Sequence, residues 1–276
     1  MFRSIPRLSL SQKLRHQALR PVAIGLILAL AGCGPAQEQT GVAPDPASAP
    51  VATANAKDAA VSLRLARAAR AAGDVTGAIQ LYRSAAESGP EFAQAFVELG
   101  DTLAGTGMLD DAIETYGRVE PASPAGTAAL LGLVRAYYEL GDAARALEFA
   151  DKALAQAPRE ARVQLDRGAV LDTLRRHGEA QEAYRAVLKA MPRHVAARNN
   201  LALSLAFTGK YDEALAIMVP LARSTAATQR IRENLALIYG LSGDRERSAS
   251  LARMDLDEAA VAGNQEFFAW ARTRQP

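Results

Sequence analysis

Apolar side chains recur at helical spacing along the chain from residue 59 onward. Phe96, Leu99 and Leu103, for example, stand three and four positions apart and would share one face of an α-helix. Alanine is abundant between the larger apolar residues, and it favours helices because it loses no side-chain entropy on folding. The pattern therefore predicts an all-α protein.

The helical pattern repeats every 34 residues without insertion or deletion. The fifteenth position of each block is glycine except in the fourth, where Arg175 stands, and small residues hold the twentieth position. The glycine permits a tight turn after the first helix of a block, and the small residue lets the second helix approach the first. The repeat domain is predicted over residues 58–262, in six blocks that begin at Ala59, Ala93, Thr127, Ala161, Val195 and Gln229.

Two further positions strengthen the repeat. The thirty-second position is proline in the first four blocks and stops the second helix. The twenty-fourth position is tyrosine in three blocks (Tyr82, Tyr116 and Tyr184) and alanine or methionine in the others. This period and these markers resemble the tetratricopeptide repeat family. The resemblance implies a right-handed superhelical solenoid of six helix-turn-helix repeats, with a concave groove that binds protein partners.

Residues 1–32 are typical of an export signal. The apolar run from Val22 to Ala31 has ten residues, about half of the ~20 that span a bilayer, and basic residues precede it. Residues 1–32 hold five of the 32 basic residues and no acid, so 27 basic and 30 acidic residues remain after them. The remainder is therefore net negative, and no nucleic-acid partner is expected.

The apolar run ends at Leu30-Ala31-Gly32-Cys33, which resembles the lipobox of bacterial lipoproteins. The resemblance implies that the signal peptide is removed and that Cys33, the only cysteine, carries lipid chains at the new N-terminus. Gly34 after the cysteine, rather than Asp, implies the outer membrane, with the protein facing the periplasm. The alternative is an ordinary signal peptide with a stray or buried thiol.

Residues 33–57 are predicted to form the lipidated cysteine and a disordered tether. The segment holds four prolines and almost no large apolar side chains. Because it cannot bury enough apolar surface to offset the entropy of folding, it is expected to stay unfolded.

The C-terminal region carries a narrower resemblance. Residues 263–276 are predicted to form a capping helix in which Phe267, Phe268 and Trp270 cover the open end of the last repeat. The segments Glu233–Asp244 and Leu251–Asn264 resemble the end of the TadD-type lipoproteins of Flp pilus (tight adherence, Tad) assembly.

The TadD resemblance implies a lipid-anchored scaffold that binds components of a Flp pilus or secretion machine and assists its outer-membrane secretin. Two alternatives stay open within the class of periplasmic repeat lipoproteins. One is a pilotin for the secretin of another system, and the other is an activator of cell-wall synthesis.

The sequence holds no recognisable catalytic constellation. His177 stands in a turn between helices and His194 follows a repeat proline, and neither has a Cys or carboxylate at metal-ligand spacing. Both are expected to be surface residues. The chain is therefore predicted not to be an enzyme and to use no cofactor, metal or small-molecule substrate.

Applied to these blocks, the repeat resemblance places polar residues of the first helices in the groove. Asn200 and Asn234 hold the sixth position of consecutive repeats, so their amides either pair with an extended peptide backbone or bond within their own repeats. The arginines do not form the full carboxylate clamp of chaperone-binding members. The candidate groove residues are Arg135, Arg162, Asn199, Asn200, Arg230 and Asn234, and a wider polar set adds Arg64, Arg67, Glu98, Asp101, Asp166, Asp172 and Glu233.

Overall fold

The computed structural model describes residues 50–89 and 92–273 of the 276-residue chain, with side chains described from Asp58 onward. The predicted signal peptide, Cys33 and the predicted tether up to residue 49 lie outside the described residues. Within those residues every regular element is a helix, and none of the helices is long and apolar enough to cross a membrane.

In this part of the chain there are thirteen helices: six pairs, each joined by a short turn, and one final helix. They are α1 (Pro50–Ala71), α2 (Val75–Ala86), α3 (Ala93–Gly105), α4 (Leu109–Gly117), α5 (Gly126–Glu139), α6 (Ala143–Gln156), α7 (Ala161–Thr173), α8 (His177–Ala190), α9 (Val195–Phe207), α10 (Tyr211–Ala222), α11 (Gln229–Ser242), α12 (Arg245–Ala252) and α13 (Glu258–Arg272). This arrangement of helix pairs confirms the predicted all-α repeat fold. From α3 onward, each first helix begins within one residue of a predicted block start.

The described chain divides into two compact units, one ending at Asp166 and the other beginning at Arg167. In the first unit, α1 packs on α2, α3 packs on α2 and α4, and α5 packs on α4 and α6. In the second unit, α9 packs on α8 and α10, and α11 packs on α10 and α12. The two helices of a repeat thus pack together, and each repeat packs on the next within its unit.

Small residues and tyrosines at the marker positions explain the close packing of these helices. Ala112, at the twentieth position, is fully buried, and so is the ring of Tyr116, at the twenty-fourth. That ring lies against Gly100 and Gly132, where an added Cβ would stand only 2.5 and 2.4 Å from ring atoms. The glycines therefore provide the space in which the second helix of one repeat inserts its aromatic ring.

The turn between the two helices of a repeat requires a left-handed backbone. Gly107, Gly141 and Gly209 have φ values of 84°, 78° and 76° at the fifteenth position. Arg175 takes the same position in the fourth repeat with φ 61°, and it is the only non-glycine residue with positive φ in the described part of the chain. The repeat geometry therefore imposes this conformation on a residue for which it is costly.

Replacing Arg175 with glycine is expected to raise the free energy of unfolding by about 1 kcal/mol, because glycine adopts positive φ without the Cβ clash. Urea denaturation followed by circular dichroism measures the effect. As a matched control, Gly209→Ala should destabilise the protein by a similar amount. A destabilised Arg175→Gly variant would show that the arginine side chain contributes more than its backbone costs.

The helical region begins earlier than the predicted tether boundary. Helix α1 starts at Pro50, so residues 50–57, assigned to the tether from their composition, are helical. The segment from Val51 to Lys57 is rich in alanine, and it continues directly into Ala59 and Ala66, whose side chains are buried. High helix propensity next to a packed helix extends that helix backwards.

The last helix also differs in detail from the predicted cap. Helix α13 begins at Glu258, with Asp257 as its N-cap accepting a hydrogen bond from Ala260 N at 2.8 Å. Phe268 is buried against Gly240, but Trp270 is 47% exposed. The two residues stand two positions apart, so one helix cannot direct both side chains to the same face. Phe268 therefore covers α11, and the expectation that Trp270 does so is wrong.

Candidate protein-binding face

The first helices of neighbouring repeats contact each other directly. Helix α3 contacts α5 in the first unit, and α9 contacts α11 in the second. Polar side chains of these helices bond from one repeat to the next. We call the surface formed by α1, α3, α5 and residues 161–166 of α7 the first-helix face of the first unit.

At the start of this face, Arg67 of α1 binds Glu98 of α3. Arg67 Nη2 and Nε donate to the carboxylate of Glu98 at 2.6 and 2.9 Å. Desolvation acts to raise the pKa of Glu98, but the hydrogen bonds and the positive charge of Arg67 outweigh it and leave the pKa below its usual value. The pair joins the first helices of repeats one and two.

The next pair joins repeats two and three. Arg135 Nη2 donates to Asp101 Oδ1 at 3.0 Å, and the hydroxyl of Tyr116 donates to the same oxygen at 2.7 Å. Arg135 Nε also donates to the carbonyl of Leu131 at 3.2 Å. Arg135 is one of the candidate groove residues, and the structure places it in a network with Asp101. The side chains of Arg135 and Asp101 are still 22% and 30% exposed, so a partner can reach them.

Asp166 and Arg162, on α7, are close to each other but are not hydrogen-bonded as the two preceding pairs are. The side chain of Asp166 is 1% exposed, and neither carboxylate oxygen has a hydrogen-bond partner among the described residues. Arg162 Nε lies 4.0 Å from Asp166 Oδ2, beyond hydrogen-bond distance, and is itself buried without a partner in the described part of the chain. Desolvation raises the pKa of Asp166 to about 6, against the lowering effect of the charges of Arg162 and Arg135.

In the second unit, three asparagines on α9 and α11 form a buried chain. Asn234 Nδ2 donates to Asn199 Oδ1 at 2.8 Å, and Asn199 Nδ2 donates to Asn200 Oδ1 at 3.1 Å. The structure therefore bonds these amides across two repeats. Of the three amide groups, only that of Asn200 has a buried atom, Nδ2, without a partner among the described residues. Arg230, also predicted for the groove, is exposed near the start of α11.

A second buried network surrounds Asp172, near the end of α7. Its Oδ1 accepts a hydrogen bond from Ser204 Oγ at 2.7 Å and lies 2.7 Å from His177 Nδ1, and its Oδ2 accepts one from the Tyr184 hydroxyl at 3.0 Å. The side chain of His177 is only 16% exposed, so the expectation of a surface histidine is wrong. The turn between α7 and α8 brings the ring onto the buried carboxylate. His194 caps α9, accepting from Ala197 N at 3.3 Å.

Neither network is a metal site. Within residues 50–89 and 92–273, no three His, Cys, Asp or Glu side chains are grouped so that they could hold a metal ion. The side chains around Asp172 bond to one another, which is typical of a structural network. On the first-helix face, by contrast, the ion pair of Arg135 and Asp101 is partly exposed and Asp166 has no hydrogen-bond partner among the described residues.

The repeat signature extends through most of the helical region. A profile of the tetratricopeptide repeat matches residues 51–91, 63–127, 97–161 and 165–219, which together cover more than half of the chain. The chain belongs to the tetratricopeptide repeat family. Members of this family are typically scaffolds that bind other proteins rather than enzymes.

Solved structures share this fold at low sequence identity. The tetratricopeptide repeat protein TTC0263 of Thermus thermophilus is 20% identical, with a TM-score of 0.53 over 64% of this chain and 99% of that chain. The pilF protein of Pseudomonas aeruginosa is 18% identical, with a TM-score of 0.63 over 79% of this chain and 99% of that chain. YrrB, described as having an unusual peptide-binding site, is 18% identical, with a TM-score of 0.52 over 67% and 97% of the two chains. At these identities the likeness concerns the fold alone.

No curated protein sequence matches the chain. The family membership and the polar first-helix face together make the chain a repeat scaffold for protein–protein interaction.

Proposed function

We propose that this protein is a lipid-anchored scaffold that binds components of a Flp (Tad) pilus machine at the periplasmic side of the bacterial outer membrane. The observation that carries the proposal is the segment Leu251–Asn264, which resembles the end of TadD-type lipoproteins and is unusual for a repeat. The lipobox ending at Cys33 agrees with it.

The structure gives the TadD-like segment a physical role. It spans the end of α12, the connection and the start of α13. Arg232 of α11 holds the connection by donating to both oxygens of Asp255 at 3.2 and 3.0 Å, and Val261 and Asn264 are buried in α13. The segment therefore attaches the final helix to the last repeat.

A lipid anchor suits a protein of this kind. A scaffold without chemistry of its own acts by holding a partner at a defined place. Each acyl CH₂ buried in a membrane contributes about 0.8 kcal/mol, so several chains on Cys33 would anchor the protein stably. The partner would then bind the first-helix face, and the outer-membrane secretin is the component that this placement favours.

Clean deletion of the gene is expected to abolish surface Flp pili, and expression of the wild-type protein should restore them. Expression of Cys33→Ser should not, because the protein would fold but fail to reach the membrane. Electron microscopy of the cells scores the pili, and membrane fractionation scores the protein. Circular dichroism of purified Cys33→Ser controls for folding.

The outcomes separate the alternatives. Normal piliation in the deletion strain would refute the pilus role. Normal piliation together with a cell-wall defect would favour an activator of cell-wall synthesis, and a defect in another secretin would favour a pilotin of that system. Wild-type activity of Cys33→Ser would refute the requirement for the lipid anchor alone.

A further inference from the structure

The first-helix face holds one pair of polar groups that the fold leaves unsatisfied. Both oxygens of Asp166 and the Nε of Arg162 are buried without hydrogen-bond partners among the described residues. By contrast, Glu98 is held by Arg67, and Asp101 by Arg135 and Tyr116. Of these three acids, Asp166 alone accepts no hydrogen bond among the described residues, although Arg162 Nε lies within ion-pair distance at 4.0 Å.

This arrangement is costly for the folded protein alone. Removing a carboxylate from water without supplying donors costs free energy, and the nearby charges of Arg162 and Arg135 do not compensate, since the pKa of Asp166 still rises. Arg135 is already bonded to Asp101 at 3.0 Å. Proteins keep such violations mainly at functional sites, where the missing bonds form in the complex.

The unused groups define the chemistry of the ligand. Asp166 offers a hydrogen-bond acceptor and Arg162 a donor, one helical turn apart on α7. A cationic side chain would meet repulsion from Arg162 and Arg135, and a carboxylate would meet repulsion from Asp166. A peptide unit is neutral and supplies one N–H donor and one C=O acceptor, which is the complement of this pair.

We propose that Asp166 and Arg162 bind one main-chain amide of an extended segment of the partner protein. The partner N–H donates to the Asp166 carboxylate, and the Arg162 guanidinium donates to a partner carbonyl. The side chain of Arg162 is 36% exposed, so it can turn outward to the partner carbonyl, and binding requires that this movement opens access to the Asp166 carboxylate. This proposal rests on the proposed function only in requiring that the chain binds protein partners.

The probe for this proposal is a dodecapeptide selected from a random phage-displayed library on the full-length protein in detergent. Its affinity is measured by isothermal titration calorimetry for wild type, for Asp166→Asn and for Glu114→Gln. Glu114 is exposed on α4 and lies away from the first-helix face, so its substitution removes the same charge without touching the site. Each peptide amide is then N-methylated in turn, which removes its N–H, and each side chain is replaced by alanine.

We expect Asp166→Asn to weaken binding roughly tenfold or more, because it removes a charged acceptor, and Glu114→Gln to leave it unchanged. N-methylation at one position should weaken binding to wild type by a similar factor. The same N-methylation should have little further effect on Asp166→Asn, since both changes remove one hydrogen bond. Thermal denaturation of each variant establishes that it is folded.

Several results would overturn the proposal. Equal affinity of wild type and Asp166→Asn would exclude the contact while leaving partner binding intact. Dependence on Asp166 that disappears when a peptide Lys, Arg, Asn or Gln is replaced by alanine would assign the contact to that side chain instead. A library that yields no binder for the wild-type protein would refute recognition of extended segments altogether.

Discussion

Replacing Tyr116 with alanine is expected to lower the free energy of unfolding by about 3–5 kcal/mol, the range for removing a buried aromatic ring. The ring is 2% exposed and fills the space between Gly100 of α3 and Gly132 of α5. Neither glycine has a side chain that could move into the cavity. The loss should therefore lie in the upper part of the range.

Tyr116→Phe separates the ring from its hydroxyl. This variant keeps the packing and loses only the 2.7 Å hydrogen bond to Asp101, so it should cost about 1 kcal/mol. Urea denaturation of both variants, followed by circular dichroism, provides the comparison. If Tyr116→Ala cost no more than Tyr116→Phe, the ring would not be the element that holds the second and third repeats together.

The sequence predicted the helix pairs because their determinants are local. The turn glycine and the small twentieth residue act on neighbours within one repeat, and a tyrosine at the twenty-fourth position packs on the first helices of its own repeat and of the next one. These short-range effects recur every 34 residues, so their spacing defines the register. Arg175 stands where the other repeats have the turn glycine, yet its backbone adopts the same left-handed conformation, with φ 61°, because the surrounding repeat requires it. Ala112 and Tyr116, at two of these marker positions, are buried in the structure.

The polar networks could not be predicted in the same way. Whether Asn234 faces a ligand or Asn199 depends on side-chain rotamers on two helices in different repeats, and the sequence carries no pattern for them. His177 was misjudged for a related reason, because its partner Asp172 becomes buried only when the turn folds back. Asp166 was named among many polar residues, but nothing in the sequence indicated that its carboxylate would lack partners among the described residues.

Replacing Asp166 with asparagine is expected to stabilise the protein at neutral pH by up to about 3 kcal/mol. Burial raises the pKa of this carboxyl from an ordinary value of 3.8 to about 6. A difference of this size between folded and unfolded states corresponds to about 3 kcal/mol, at 1.36 kcal/mol per unit. Asparagine keeps the shape of the side chain but never carries the charge.

The raised pKa of Asp166 determines how the stability difference between wild type and Asp166→Asn changes with pH. Because the folded-state pKa is raised, the protonated acid is favoured in the fold, and its contribution is fully present below about pH 4. The contribution is lost as the pH rises through about 6, where Asp166 must ionise without donors. Arg162 and Arg135 oppose this loss and Glu160 adds to it. The two proteins should therefore be equally stable near pH 4 and diverge between pH 4 and 6.

Urea denaturation at a series of pH values tests this divergence, with Glu114→Gln as the control that should stay within about 0.5 kcal/mol of wild type. A gain in stability joined to a loss of peptide affinity would mean that the fold keeps a destabilising acid for the sake of its partner. A purely structural carboxylate would behave in the opposite way, because its loss would weaken folding. Equal pH profiles for wild type and Asp166→Asn would show that donors already satisfy Asp166 in the folded protein. The proposal that Asp166 and Arg162 bind a main-chain amide of the partner would then be refuted.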